Sequence, residues 1–102
     1  MITKISCGRS GQVVYEFDNG NIVSFLWSWG SYSDNHDLMF SDEPYNPHRT
    51  DWESTTVEVY SMGVDTNGFT KYLERKYGDN PAAYAPVADI PMIIKRADRA
   101  SK

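Results

Sequence analysis

The chain has 102 residues, enough to bury one core and not two, so a single domain over 1–102 is expected. Hydrophobic residues make up 40%, the mean hydropathy is -0.56 and no apolar run approaches a membrane helix, which argues against disorder and predicts a soluble protein with no membrane contact. Ten basic against fourteen acidic residues give a net charge of -4, a balance that counts against general nucleic-acid binding, where affinity rests on basic side chains displacing counterions.

Residues 2–7 alternate Ile2, Lys4 and Ser6 with Thr3, Ile5 and Cys7, predicting a short strand ended by the turn formers Gly8, Ser10 and Gly11. Cys7 within that strand is expected to be a buried apolar residue. As the only cysteine it allows no internal disulfide and no cysteine-based zinc site, and the stretch ITKISCGRSG lacks the features of a secretory signal. Both point to a cytoplasmic setting. Next, VVYEFD and NIVSFLW flank Asn19-Gly20, a pair suited to the positive φ angles of a type I′ hairpin turn. A two-residue link sets Phe17 opposite Ile22, Tyr15 opposite Ser24 and Val13 opposite Leu26, with Val14, Val23, Phe25 and Trp27 on the other face. Both faces are then largely apolar, as expected of a hairpin inside a layered structure with a helix on one side and a partner or ligand on the other.

Residues 28–54 show no periodicity and read as a long loop, a feature that in compact domains often carries function. Trp27, Trp29, Tyr32, Phe40, Tyr45 and Trp52 crowd in and beside it, and exposed rings of this kind anchor partners or stack on ligands. The expected binding set is Trp27, Trp29, Tyr32, Asp34, Asn35, His36, Arg49 and Trp52. Gly30, Ser31 and Ser33 space these rings in a pattern that fits a shaped surface better than a packed interior. The acids and histidines Asp34, His36, Asp37, Asp42, Glu43, His48, Asp51 and Glu53 are metal-ligand types, but no H-E-x-x-H or EF-hand spacing joins them, so solvated acids without a metal or cofactor are expected. Catalytic signatures are missing as well. Neither His36 nor His48 is tied to Cys7 by a motif, Ser10 in G-R-S-G is a fragment of G-x-S-x-G, and no P-loop or G-x-G-x-x-G occurs.

Residues 54–62 return to β character, Val57 and Val59 on one face and Thr56, Glu58 and Tyr60 on the other; Glu16 and Glu58 are expected to be exposed or paired. A helix is predicted from Asn67 or Thr70, with Phe69, Tyr72, Leu73 and Lys76 or Tyr77 on one side and Gly78 ending it. Residues 79–86 read as a connector. Asp89 then caps a final helix in which Pro91 fits the first turn and Ile90, Ile93, Ile94 and Ala97 recur at helical spacing. That segment is basic, carrying Lys95, Arg96, Arg99 and Lys102 against Asp98, and together with Arg49 and Trp52 it is the second place to seek a site. The expected fold class is α+β: an antiparallel sheet of three to five strands with one or two C-terminal helices packed on it.

The motif F-D-N-G-x-x-V-S at residues 17–24, followed by G-S-Y-S-D-N at 30–35 and T-T-V-E-V at 55–59, resembles small accessory proteins encoded by tailed bacteriophages. The resemblance covers residues 13–60. Most members of that group have no assigned activity, so it implies a phage origin and a host-cell cytoplasmic setting and transfers no catalytic residue. Size and acidity are shared by phage proteins that inhibit host defence, including anti-CRISPR proteins and sponges for nucleotide signals. The expected function is therefore non-enzymatic: binding a host protein or a small nucleotide-like ligand, with self-association left open. Two alternatives remain, a metal-dependent hydrolase or nuclease using the acids of residues 34–53, and a structural virion component.

Overall fold

Alternating apolar residues build a sheet of five antiparallel strands: Ile2–Ser6 (β1), Gln12–Phe17 (β2), Ile22–Leu26 (β3), Thr56–Ser61 (β4) and Ala82–Pro86 (β5), in the order β1-β2-β3-β4-β5. The structure, a computed structural model, describes residues 1–8, 10–28, 31, 33, 53–63 and 67–99. Two helices, Phe69–Tyr77 (α1) and Ile90–Ala97 (α2), pack on one face of the sheet. Phe17, Val23, Phe25, Val57, Val59, Ala82 and Ala85 from the strands meet Phe69, Leu73, Ile93 and Ala97 from the helices in the core. The α+β class stands as expected from the sequence. No helix among the described residues is long and apolar enough to cross a membrane.

The β2–β3 hairpin sits where Asn19-Gly20 placed it, but in another register. Phe17 N–H donates to Asn21 O at 2.9 Å and Gly20 N–H to Phe17 O at 3.1 Å, so the link holds three residues, Asp18, Asn19 and Gly20. Gly20 has φ 93, while Tyr84 is the only non-glycine residue with positive φ among the described ones. The turn is thus a type I turn closed by a left-handed glycine rather than type I′. Val13 pairs with Phe25, Val14 with Ser24 and Tyr15 with Val23. With a side-chain period of two, a slip of one residue exchanges faces, and this register gathers Val13, Tyr15, Phe17, Val23 and Phe25 on the core side. Tyr15 meets the Phe25 ring edge-on at 6.2 Å. Gly20→Val is expected to lower stability by about 1–2 kcal/mol, since a β-branched residue is strained at this φ, and a thermal melt unchanged from wild type would refute the turn assignment.

Residues 82–86 form a strand rather than the expected connector. Val59 pairs with Ala82 and Val57 with Ala85, with an irregularity between them, and both alanines are fully buried where α1 crosses β5. Their small side chains let the helix approach, and they also hide the alternation that marks a strand in sequence. Cys7 lies just past the end of β1 and is exposed, contrary to the buried role expected of it. Glu16 is paired as expected, its carboxylate 3.6 Å from Lys4 Nζ.

Gly78 ends α1 in a left-handed cap whose N–H donates to Glu74 O at 2.8 Å, and Pro91 lies in the first turn of α2 after a short 3-10 turn, Val87–Asp89. Asp89 occupies the N-cap position of α2 but makes no side-chain cap bond; its carboxylate instead accepts the Tyr77 hydroxyl at 2.7 Å. Burial, reinforced by Asp89, pushes the Tyr77 phenol well above its usual range. A folded-state pKa above the unfolded one contributes stability that is complete below about pH 10 and is lost as pH rises beyond it. Tyr77→Phe should therefore flatten the alkaline fall in melting temperature, and an unaltered alkaline limb in the variant would contradict this assignment.

Candidate functional site

Of the binding set expected from sequence, Trp29, Tyr32, Asp34, Asn35, His36, Arg49 and Trp52 lie outside the described residues. Trp27 is half-buried, packs against the core and donates its backbone N–H to Gly11 O at 2.9 Å. Ser31 and Ser33 are buried, with their hydroxyls 2.7 Å apart and bonded to the carbonyls of Ser28 and Trp27. These two small residues thus pack inward instead of spacing a surface. Most of the acids proposed for a metal fall within residues 34–52, also outside the described ones, and among the described residues no three His, Cys, Asp or Glu side chains converge.

The second region singled out by sequence, the basic C-terminal segment, borders a cavity. Met92, Lys95, Arg96 and Arg99 follow one another at i, i+3, i+4 and i+7, the spacing of one helix face, and Tyr72 of α1 stands across from them. Together these five residues line a half-open cavity of about 530 Å³. The walls are positioned by the buried sides of the same helices: Phe69 and Leu73 anchor α1, Ile93 and Ala97 anchor α2, each pair one helical turn apart. The cavity then has Tyr72 on one wall and three cations on the other.

Arg96 is held in place. Its guanidinium lies 5.5 Å from the centre of the Tyr72 ring, a cation–π distance, and Nη2 donates to Asn67 O at 2.8 Å. The Tyr72 ring in turn stacks on Phe69, centroids 6.4 Å apart, and its hydroxyl is buried with no hydrogen-bond partner among the described residues. Lys95 and Arg99 are exposed at the rim.

Behind the cavity, three asparagines fasten the end of α2 to the hairpin tip. Ala97 O accepts from Asn19 Nδ2 at 2.7 Å and from Asn21 Nδ2 at 2.8 Å, and Arg99 O accepts from Asn19 Nδ2 and Asn67 Nδ2, both at 2.8 Å. Asn67 Oδ1 receives Asn21 Nδ2 and the N–H of Phe69, which joins the start of α1 to the same network. Asp98, the acid next to Arg99, is turned to the amino group of Met1. The Asp18 carboxylate, with Asp98 alongside, holds the Met1 amine above its ordinary range. The basic segment was visible in the sequence, and the helical spacing of Met92, Lys95, Arg96 and Arg99 would have aligned it on one face. Tyr72 could not be joined to it without the packing of α1 on α2.

The chain matches no known family model, no curated protein and no solved structure.

Proposed function

We propose that the protein is a non-enzymatic binding protein of the phage accessory kind, acting in the host cytoplasm by holding a small anionic, nucleotide-like ligand between α1 and α2. The observation that carries this reading is the cavity of Tyr72, Met92, Lys95, Arg96 and Arg99, which sets three cations and an aromatic ring around one space with no acid among the described lining residues. In a chain of net charge -4 such a concentration of positive charge is local, and local fields of one sign in a cleft draw oppositely charged ligands. Met92 and the Tyr72 ring add the apolar surface that small-ligand sites need. Removal of the ligand from circulation, or presentation of the same cations to an acidic patch of a host protein, would serve the inhibitory role that the phage resemblance implies.

The test is calorimetric titration of the dialysed protein with inorganic pyrophosphate at low ionic strength. Wild type should bind, and the Lys95→Ala/Arg99→Ala double variant should lose about tenfold or more in affinity, because charge-assisted hydrogen bonds carry most of the attraction. Both substitutions lie on exposed side chains, so the melting temperature should not fall. Equal binding by the two proteins would sink the reading.

A further inference from the structure

We propose that β1 is a self-association edge: it pairs antiparallel with β1 of a second copy about a two-fold axis at Ile5, joining two sheets into one. The hydrogen-bond ladder shows which groups are open. Phe17 N–H donates to Asn21 O on the β3 side and Asp18 N–H to Met1 O on the β1 side, and alternate residues of an antiparallel strand bond to opposite neighbours. Glu16 and Val14 therefore bond towards β1, where their partners are Lys4 and Ser6. Ile5, between those two, directs its N–H and C=O out of the sheet, and β1 has no strand beyond it among the described residues. Neither group has a partner among those residues.

The side chain at this position is also left open. Ile5 pairs with Tyr15, Tyr15 with Val23 and Val23 with Ser61, so the four form one row across the helix-bearing face. Because α1 lies over β4 and β5, the row runs from Val23, fully buried, to Ile5, 61% exposed. A second copy related by the two-fold axis continues it, Ile5 against Ile5 and then Tyr15 again, so that an apolar row ending in water becomes one joining two cores. Residues facing each other across such a pair contribute directly to sheet stability.

Charge and register select a second copy as the occupant. Centred on Ile5, the pairing sets Lys4 opposite Ser6 and Thr3 opposite Cys7 of the other chain, with no like charges opposed; centred on Lys4, it would set two ammonium groups against each other. A lysine on an edge strand ordinarily wards off other strands, but Lys4 is drawn to Glu16 of its own sheet at 3.6 Å. The far edge is blunted. There β5 is irregular opposite Val57 and Val59, holds Tyr84 at φ 54 and ends in Pro86, so growth stops at a closed pair. A strand of five residues covers less than the roughly 800 Å² per partner of a stable interface, and a dissociation constant on the order of 100 μM is expected.

Sedimentation equilibrium of the full chain over a range of concentrations tests the pairing. The average mass should climb from that of one chain towards that of two by about 1 mM, and Ile5→Lys, a change on an exposed side chain that opposes two charges at the axis, should weaken association about tenfold or more with an unaltered melting temperature. A wild type that stays monomeric to about 1 mM, or one that dimerises equally well with Ile5→Lys, would overturn the proposal. The register is read by oxidation with diamide in a Cys7→Ser background. Residues facing each other as a hydrogen-bonded pair have Cα atoms about 5.5 Å apart, within disulfide reach, so Ile5→Cys should cross-link about tenfold faster than Tyr60→Cys, which is exposed on the opposite face. Equal rates for the two would remove Ile5 from the axis and overturn the register.

Discussion

Phe69→Ala is expected to lower stability by about 3–5 kcal/mol, the range for deleting a large buried ring, and in a domain of this size that is a large part of the total. Phe69 is 0% exposed and opens α1, so its ring holds the start of the helix against the sheet. It is also the surface on which Tyr72 stacks. The loss should therefore appear twice, as a lower urea midpoint and as weaker pyrophosphate binding, since the wall that holds Arg96 loses its support. A variant with wild-type midpoint would mean that the α1 packing described above is wrong.

The asparagine network should give the next largest effect. Asn21→Leu removes a residue that is 1% exposed and the amide that serves both Ala97 O and Asn67 Oδ1, at an expected cost of about 1–3 kcal/mol for the groups left without partners. Asn19→Ala alone should cost less, because Asn21 still covers Ala97 O and Asn67 still covers Arg99 O. Made together, the two substitutions strip Ala97 O of both its donors, and the combined loss should exceed the sum by about 0.5 kcal/mol or more. Urea denaturation of the four proteins measures this directly. Strict additivity would show that the shared carbonyl does not couple them.

Local signals placed most elements and failed where a choice depended on distant packing. Asn19-Gly20 located a hairpin, Val57 and Val59 a strand, Gly78 the end of a helix, and Ile90, Ile93, Ile94 and Ala97 the face of another. The segment FDNGN accepts either a two- or a three-residue link, and what decides between them is the burial of Val23 and Phe25 beneath helices that lie much further along the chain. Ala82 and Ala85 read as connector because their strand is defined by what it lets approach, not by bulk or branching. In the same way, Lys95 and Arg96 on α2 and Arg99 just past its end are legible as a basic cluster, yet the ring that makes it a cavity comes from another helix.

All four strand pairings join neighbours in chain order, but only β1–β2 and β2–β3 close over short turns, whereas β3–β4 and β4–β5 bridge long intervening segments. The asparagine network is different in kind: it ties residues 19 and 21 to residues 97 and 99 and has nothing to hold until α2 is docked. Contacts that form after the transition state act on the escape rate from the native state and not on the folding rate, and this network is expected to be of that kind. The hairpin tip is thus expected to work as a latch, governing how long the closed form persists far more than how quickly it is reached.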